Sequence, residues 1–121
     1  MAPPPGFFKV NVDGASSLDG LGTSGVGVII RDDGGRVVAA LSKGLPLHYP
    51  ADWTELFAME QGVLLAQEMT LSKVIFESDV ISVIQAISQD LRDSETGHLI
   101  QGIQLVKSSF LSFSFRHVKR D

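Results

Sequence analysis

The chain contains no cysteine among its 121 residues. That absence excludes disulfides, thiolate zinc sites and a cysteine nucleophile together, and it suits a reducing compartment. No stretch approaches the roughly 20 apolar residues that a membrane-crossing helix needs, so no membrane partner is expected. Met1 to Gly6 is proline-rich and lacks a basic segment followed by an apolar one. It therefore does not read as a secretory signal, but as a short extended lead-in or the seam of a longer protein. These absences lead to the expectation of an intracellular location. A basic excess is also missing: 10 Lys and Arg stand against 14 Asp and Glu, for a net charge of -4. That balance weighs against a strong, non-specific nucleic-acid binder. An enzyme built around clustered carboxylates would carry such a charge, with bound cations offsetting part of it.

What is present is ordinary globular material: 44% hydrophobic and 20% charged residues, in a length that suits one domain with one core. The first half reads as three strands. Phe8, Val10 and Val12 alternate with Lys9, Asn11 and Asp13, the period-2 signature of a half-buried strand. Residues 14–22, polar and glycine-rich, read as a loop. Residues 25–30 form a second strand, whose glycines suggest a bulge or the close approach of another backbone. The run Arg31-Asp32-Asp33-Gly34-Gly35 is a hairpin turn, and residues 37–41 give a third strand, completing an antiparallel meander.

From Asp52 the period changes. Trp53, Leu56, Phe57, Val63, Leu64 and Ala66 fall at helical spacing through Glu68. Gly62 costs this helix about 1 kcal/mol relative to alanine, which points to tight packing there. Residues 73–77 read as a strand covered on both faces, because Val74, Ile75 and Phe76 are apolar in a row. Helices are expected over residues 80–88 and 95–106, and Leu111, Phe113 and Phe115 mark a fifth strand. The order β-β-β-α-β-α-α-β implies a mixed five-stranded sheet with right-handed crossovers and helices on at least one face.

Three carboxylates stand near predicted strand ends or helix starts. Each has a plainer reading. Asp13, beside Gly14, could be a turn aspartate. Glu55, three residues after Asp52, could close a capping box. Ser78 or Asp79 could be the N-cap of the second helix. Brought to one spot, however, Asp13, Glu55 and Asp79 would offer the oxygen-only ligand set that suits Mg²⁺ or Mn²⁺. Without a cation such a cluster repels itself.

Five segments in order now carry a resemblance. They are Lys9-Val10-Asn11-Val12-Asp13-Gly14-Ala15, then residues 25–32, then Thr54-Glu55-Leu56-Phe57-Ala58, then Glu77-Ser78-Asp79, then Phe115-Arg116-His117-Val118-Lys119-Arg120. Together they resemble the ribonuclease-H-like domain of plant non-LTR retroelement reverse transcriptases. The resemblance implies one α/β domain over residues 1–121, with Asp13, Glu55 and Asp79 as metal ligands for Mg²⁺ or Mn²⁺. It implies two-metal hydrolysis of the RNA strand of an RNA–DNA hybrid, with the 2′-hydroxyl distinguishing RNA from DNA. His117 falls where the family has a histidine in the loop after the last strand, aiding proton transfer or product release; its plainer reading is an exposed histidine in a basic tail. Gly14, Ala15, Ser78, Arg116 and Lys119 are the expected substrate contacts, and Arg120 lies beside them. Phosphates are the natural partners of the basic residues, unless these form a solvated charged end. His48 and His98 match nothing in the pattern and are read as surface or packing residues. No small-molecule cofactor is expected.

The pattern also has departures. The family's fourth carboxylate lies on a final helix about ten residues past the histidine, whereas the sequence stops at Asp121, which does not match that position. The final helix is therefore expected to be missing and the domain truncated. Ala51 and Asp52 stand where ribonucleases H carry amide side chains that contact the hybrid, and no basic helix appears between the second and third helices. Three functions follow: a hybrid-cleaving endoribonuclease, a non-catalytic module of the same fold that binds nucleic acid or a protein, or a plain structural domain.

Overall fold

The computed structural model describes residues 3–16, 24–47, 49–89 and 96–119. Strands β1 (Phe8–Ser16), β2 (Ser24–Arg31) and β3 (Val37–Leu45) form the expected antiparallel meander. Asp32 organises the β2–β3 turn: its Oδ1 accepts the amides of Gly34 and Arg36, each at 2.9 Å. A short carboxylate mimicking a backbone turn is why aspartate suits this position.

Two strands run further than their side-chain patterns indicate. Strand β1 was expected to end at Asp13, yet Asp13, Gly14, Ala15 and Ser16 pair with Gly27, Val26, Gly25 and Ser24. Strand β3 continues past Leu41 to Leu45, opposite Ser24. The ladder is made by backbone groups, so polar side chains do not stop it when a partner strand is in register. The expected loop thus loses residues 14–16 to β1, and residues 17–23 lie outside the described residues. The glycines of β2 mark neither a bulge nor a close approach. A Cβ on Gly25 or Gly27 would stand 3.6 Å from the Lys43 carbonyl oxygen or 3.9 Å from that of Asp13, which is ordinary contact. The irregularity falls instead between Ile30 and Arg31.

After the meander come α1 (Ala51–Glu68), β4 (Lys73–Ser78), α2 (Ile81–Ser88), α3 (Gly97–Lys107) and β5 (Ser112–His117). The five strands form one sheet in the order β3-β2-β1-β4-β5, with β4 parallel to both β1 and β5. Val80, expected inside the second helix, is its N-cap.

One face of the sheet carries the core. Val10, Val12, Val26, Val28 and Ile30 are buried with Leu56, Met59 and Val63 of α1. Gly62 has the explanation its cost predicted. A Cβ there would lie 2.8 Å from Val12 Cγ1 and 3.1 Å from Val10 Cγ1, so α1 can approach β1 this closely only without a side chain. Val83, Ile84 and Ile87 of α2 and Leu99, Ile100 and Ile103 of α3 extend the same core. Phe76 packs between Phe110 and Phe115, at centroid distances of 5.6 and 5.2 Å. The opposite face holds a groove of about 760 Å³, along which Asp13, Gly27, Ile29, Ala40 and Ser42 lie. No described helix is long and apolar enough to cross a membrane.

Candidate metal centre

Strands β1 and β4 are parallel neighbours that pair only from Phe8 opposite Val74 to Asn11 opposite Glu77. Beyond that row they part. Asp13 stands two residues past the fork on β1, and Asp79 two residues past it on the chain leaving β4. Such gaps at the carboxyl ends of parallel strands are where open α/β sheets take ligands. The last row is tied by side chains too, as Asn11 Nδ2 donates to Glu77 Oε1 at 3.0 Å.

Glu55 reaches the fork from the second turn of α1. It brings the set together: one carboxylate oxygen from each of Asp13, Glu55 and Asp79 lies within 4.8 Å of the others. This overturns the capping-box reading. The N-cap of α1 is Pro50, without a side-chain cap bond, and Asp52 sits inside the first turn. Glu55 is 3% exposed; its Oε1 accepts the Gly14 amide at 2.6 Å and its Oε2 the Ser78 hydroxyl at 2.9 Å. Asp13 is likewise no turn aspartate, being inside β1, and Asp79 does not cap α2.

Burial pushes the Glu55 carboxyl above the ordinary carboxylate range. The bonds from Gly14 and Ser78 pull the other way, while the charges of Asp79 and Asp13 raise it further. A bound cation would oppose both the burial and the repulsion. The donor set fits one: three carboxylates and no nitrogen or sulfur ligand suit a hard divalent ion of the Mg²⁺ or Mn²⁺ kind.

Gly14 is held against α1. A Cβ on it would lie 2.7 Å from the Thr54 carbonyl carbon, 2.7 Å from Thr54 Cγ2 and 2.9 Å from the Glu55 nitrogen. Two of these neighbours are backbone and cannot step aside. The glycine after Asp13 is therefore a packing requirement that brings α1 close enough for the Gly14 N–H to reach Glu55.

A family model described as reverse transcriptase-like matches residues 11–121. The chain belongs to that family. Solved structures agree on the fold of this reverse transcriptase-like domain. The N-terminal RNase H domain of a Mycobacterium tuberculosis protein, fused to maltose-binding protein, superposes with a TM-score of 0.82 at 17% identity, covering 94% of this chain and 83% of that one. RNase H1 of the halophilic archaeon Halobacterium salinarum gives 0.81 at 19% identity, covering 94% and 86%. LC11-RNase H1, solved in complex with an RNA/DNA hybrid, gives 0.79 at 16% identity, covering 93% and 86%. No curated protein sequence matches. The five-stranded mixed sheet with its helices is the ribonuclease-H-like fold that the segments led us to expect.

Around the centre of this reverse transcriptase-like domain the other expected residues divide. His117 is the last residue of β5, not a loop residue, and is half-buried. Its Nε2 lies 3.2 Å from the Asp79 carbonyl oxygen; a carbonyl only accepts, so that nitrogen carries the proton. Lys119 is exposed and borders the same groove as Asp79. Ala15 is exposed on β1. Two further expected substrate contacts are engaged with Glu55: the Gly14 amide donates to its carboxylate, and Ser78, 1% exposed, donates its hydroxyl to the same group. His98 is exposed, its ring 5.9 Å from that of Trp53, in keeping with a packing role. His48, Arg120 and Asp121 lie outside the described residues.

One group went unpredicted. Glu77 is 4% exposed on the groove side of the sheet. Besides Asn11, it faces Lys9 Nζ at 3.8 Å and Arg116 Nη1 at 4.0 Å. It thus links β1, β4 and β5 beside the fork. Period-2 spacing held the clue, since Lys9, Asn11 and Asp13 must share one face, as must Glu77 and its row partner Asn11.

Proposed function

We propose that this chain is a divalent-metal-dependent endoribonuclease that hydrolyses the RNA strand of RNA–DNA hybrids. The convergence of Asp13, Glu55 and Asp79 from three separate elements carries the reading. Solved structures similar to this chain in fold include RNases H, one of them solved with a hybrid bound. Mg²⁺ or Mn²⁺ at this centre would activate a water for attack and stabilise charge on the leaving oxygen.

The chain's own residues would do the rest. Asp13 and Asp79 border the groove and would hold the ion at its open side, while Glu55 would hold it from beneath. His117, fixed by the Asp79 carbonyl, keeps its second ring nitrogen for proton transfer near the centre. Arg116, 52% exposed in its side chain, and Lys119 would contact backbone phosphates, with Ala15 at the substrate surface. The five ordered segments favour a retroelement origin of the plant non-LTR type, within a single domain.

A labelled RNA–DNA hybrid incubated with the chain in Mn²⁺ tests this. Cleavage of the RNA strand that disappears in Asp13→Asn and Asp79→Asn is the expected result. The second reading is a non-catalytic module of the same fold that binds nucleic acid or a protein. Mn²⁺ binding and salt-dependent hybrid binding with no turnover would establish that module and end the nuclease reading.

A further inference from the structure

Ser78 makes two bonds with one oxygen. Its hydroxyl donates to Glu55 Oε2 at 2.9 Å. The same Oγ accepts the Val80 amide at 3.1 Å, two residues ahead. A serine oxygen has a single proton. With the Val80 N–H occupying the acceptor side, that proton is committed to Glu55. The bond to Val80 closes a small turn whose middle residue is Asp79. A third constraint acts on the same turn: the Val118 amide donates to the Ser78 carbonyl at 3.0 Å. The side chain is buried, so water does not compete for either bond.

We propose that Ser78 is the positioning residue of the centre, one hydroxyl setting the Glu55 carboxylate and the Asp79 backbone relative to each other. Gly14 shares the first task, since its amide holds the other Glu55 oxygen; the second task belongs to Ser78. Asp13 is fixed independently by its place in β1, paired with Gly27. One side chain thus bonds one of the three carboxylates and closes the turn that carries a second. The hydroxyl is engaged by Glu55 and the Val80 amide, so it acts through those groups. Removing it would leave Glu55 with one donor and the Asp79 turn without its closing bond. The fold should survive, because the ladder of β4 with β1 and β5 is made by backbone groups.

This inference rests on the carboxylates forming a cation site. The test is calorimetric titration of Mn²⁺ into the full chain and its Ser78→Ala and Ser78→Thr variants, with folding checked by circular dichroism. Outer-shell partners of metal ligands typically matter by about 10–100-fold in affinity. Ser78→Ala should weaken Mn²⁺ binding by roughly tenfold or more, and Ser78→Thr, which keeps the hydroxyl, should recover most of it. If Ser78→Ala does not fold, Ser78→Cys makes the same comparison, because a thiol is a poor donor of similar size. Equal affinity in the serine and alanine proteins overturns the proposal while leaving the metal site intact. An equal loss in alanine and threonine also overturns it, by assigning the effect to packing. Absence of Mn²⁺ binding in the unaltered chain would instead remove the site on which both readings stand.

Discussion

The Gly14 amide and the Glu55 carboxylate meet at 2.6 Å, joining the middle of the sheet to the second turn of α1. Forty-one residues separate them in sequence, so this bond forms only once the meander and the helix have docked. It is possible because residue 14 has no side chain. Gly14→Ala places a Cβ 2.7 Å from the Thr54 carbonyl carbon, and the helix must shift to admit it. Overpacking of this kind costs about 1–3 kcal/mol. A thermal or urea melt should show that loss, together with weaker Mn²⁺ binding, as Glu55 moves away from its partners. A variant with unchanged stability would mean that α1 sits further from β1 than described.

Glu55 makes the protein's stability sensitive to acidity in the absence of metal. Burial raises its carboxyl in the folded state, whereas the unfolded chain should show the ordinary value near 4.3. The folded state therefore binds the proton more tightly. Stability from this group is fully present below about pH 4.3 and is lost as pH rises through the folded-state value. A divalent ion should reverse that slope, since it favours the charged form. Melting temperatures across this range, with and without Mn²⁺, check the sign; Glu55→Gln should flatten the metal-free profile. A metal-free profile with the same slope in Glu55→Gln would show that another group is responsible.

Arg116 offers a separate handle on substrate. It is half exposed and held 4.0 Å from Glu77, so truncation leaves Glu77 still facing Lys9 at 3.8 Å and bonded to Asn11. Arg116→Ala should weaken hybrid binding to a similar degree whatever the base sequence. The slope of log affinity against log salt should fall by about one. Affinities measured at several salt concentrations decide it, and an unchanged slope would remove Arg116 from the phosphate contacts.

Most of the fold was legible because its elements carry their own periodicity. The alternation in β1, the apolar block in β4 and the Gly62 anomaly in α1 each state a local requirement that the packing then meets. The three carboxylates were legible only as a set. Spacing alone favoured a capping box for Glu55, and what defeats it is a pair of donors, Gly14 and Ser78, brought from 41 and 23 residues away. No local pattern encodes such partners. The same holds for the ends of β1 and β3, which are fixed by register with β2 and not by their own side chains. Ser78 was read as a candidate N-cap and as an expected substrate contact; its bond to Glu55 depends on where α1 lies.

The fork between β1 and β4 has a mechanical side. Below Asn11 and Glu77 the two strands are zipped by backbone and side chains alike; above that row the ladder of β1 continues with β2 and no longer with β4, and Gly14 bonds to Glu55 of α1. Opening fluctuations of the sheet should therefore start at the carboxylate end and stop at the Asn11–Glu77 row, like a zip with a catch. Amide exchange should be faster at Asp13 and Ala15 than at Val10, and an ion spanning the gap should slow it on both sides at once.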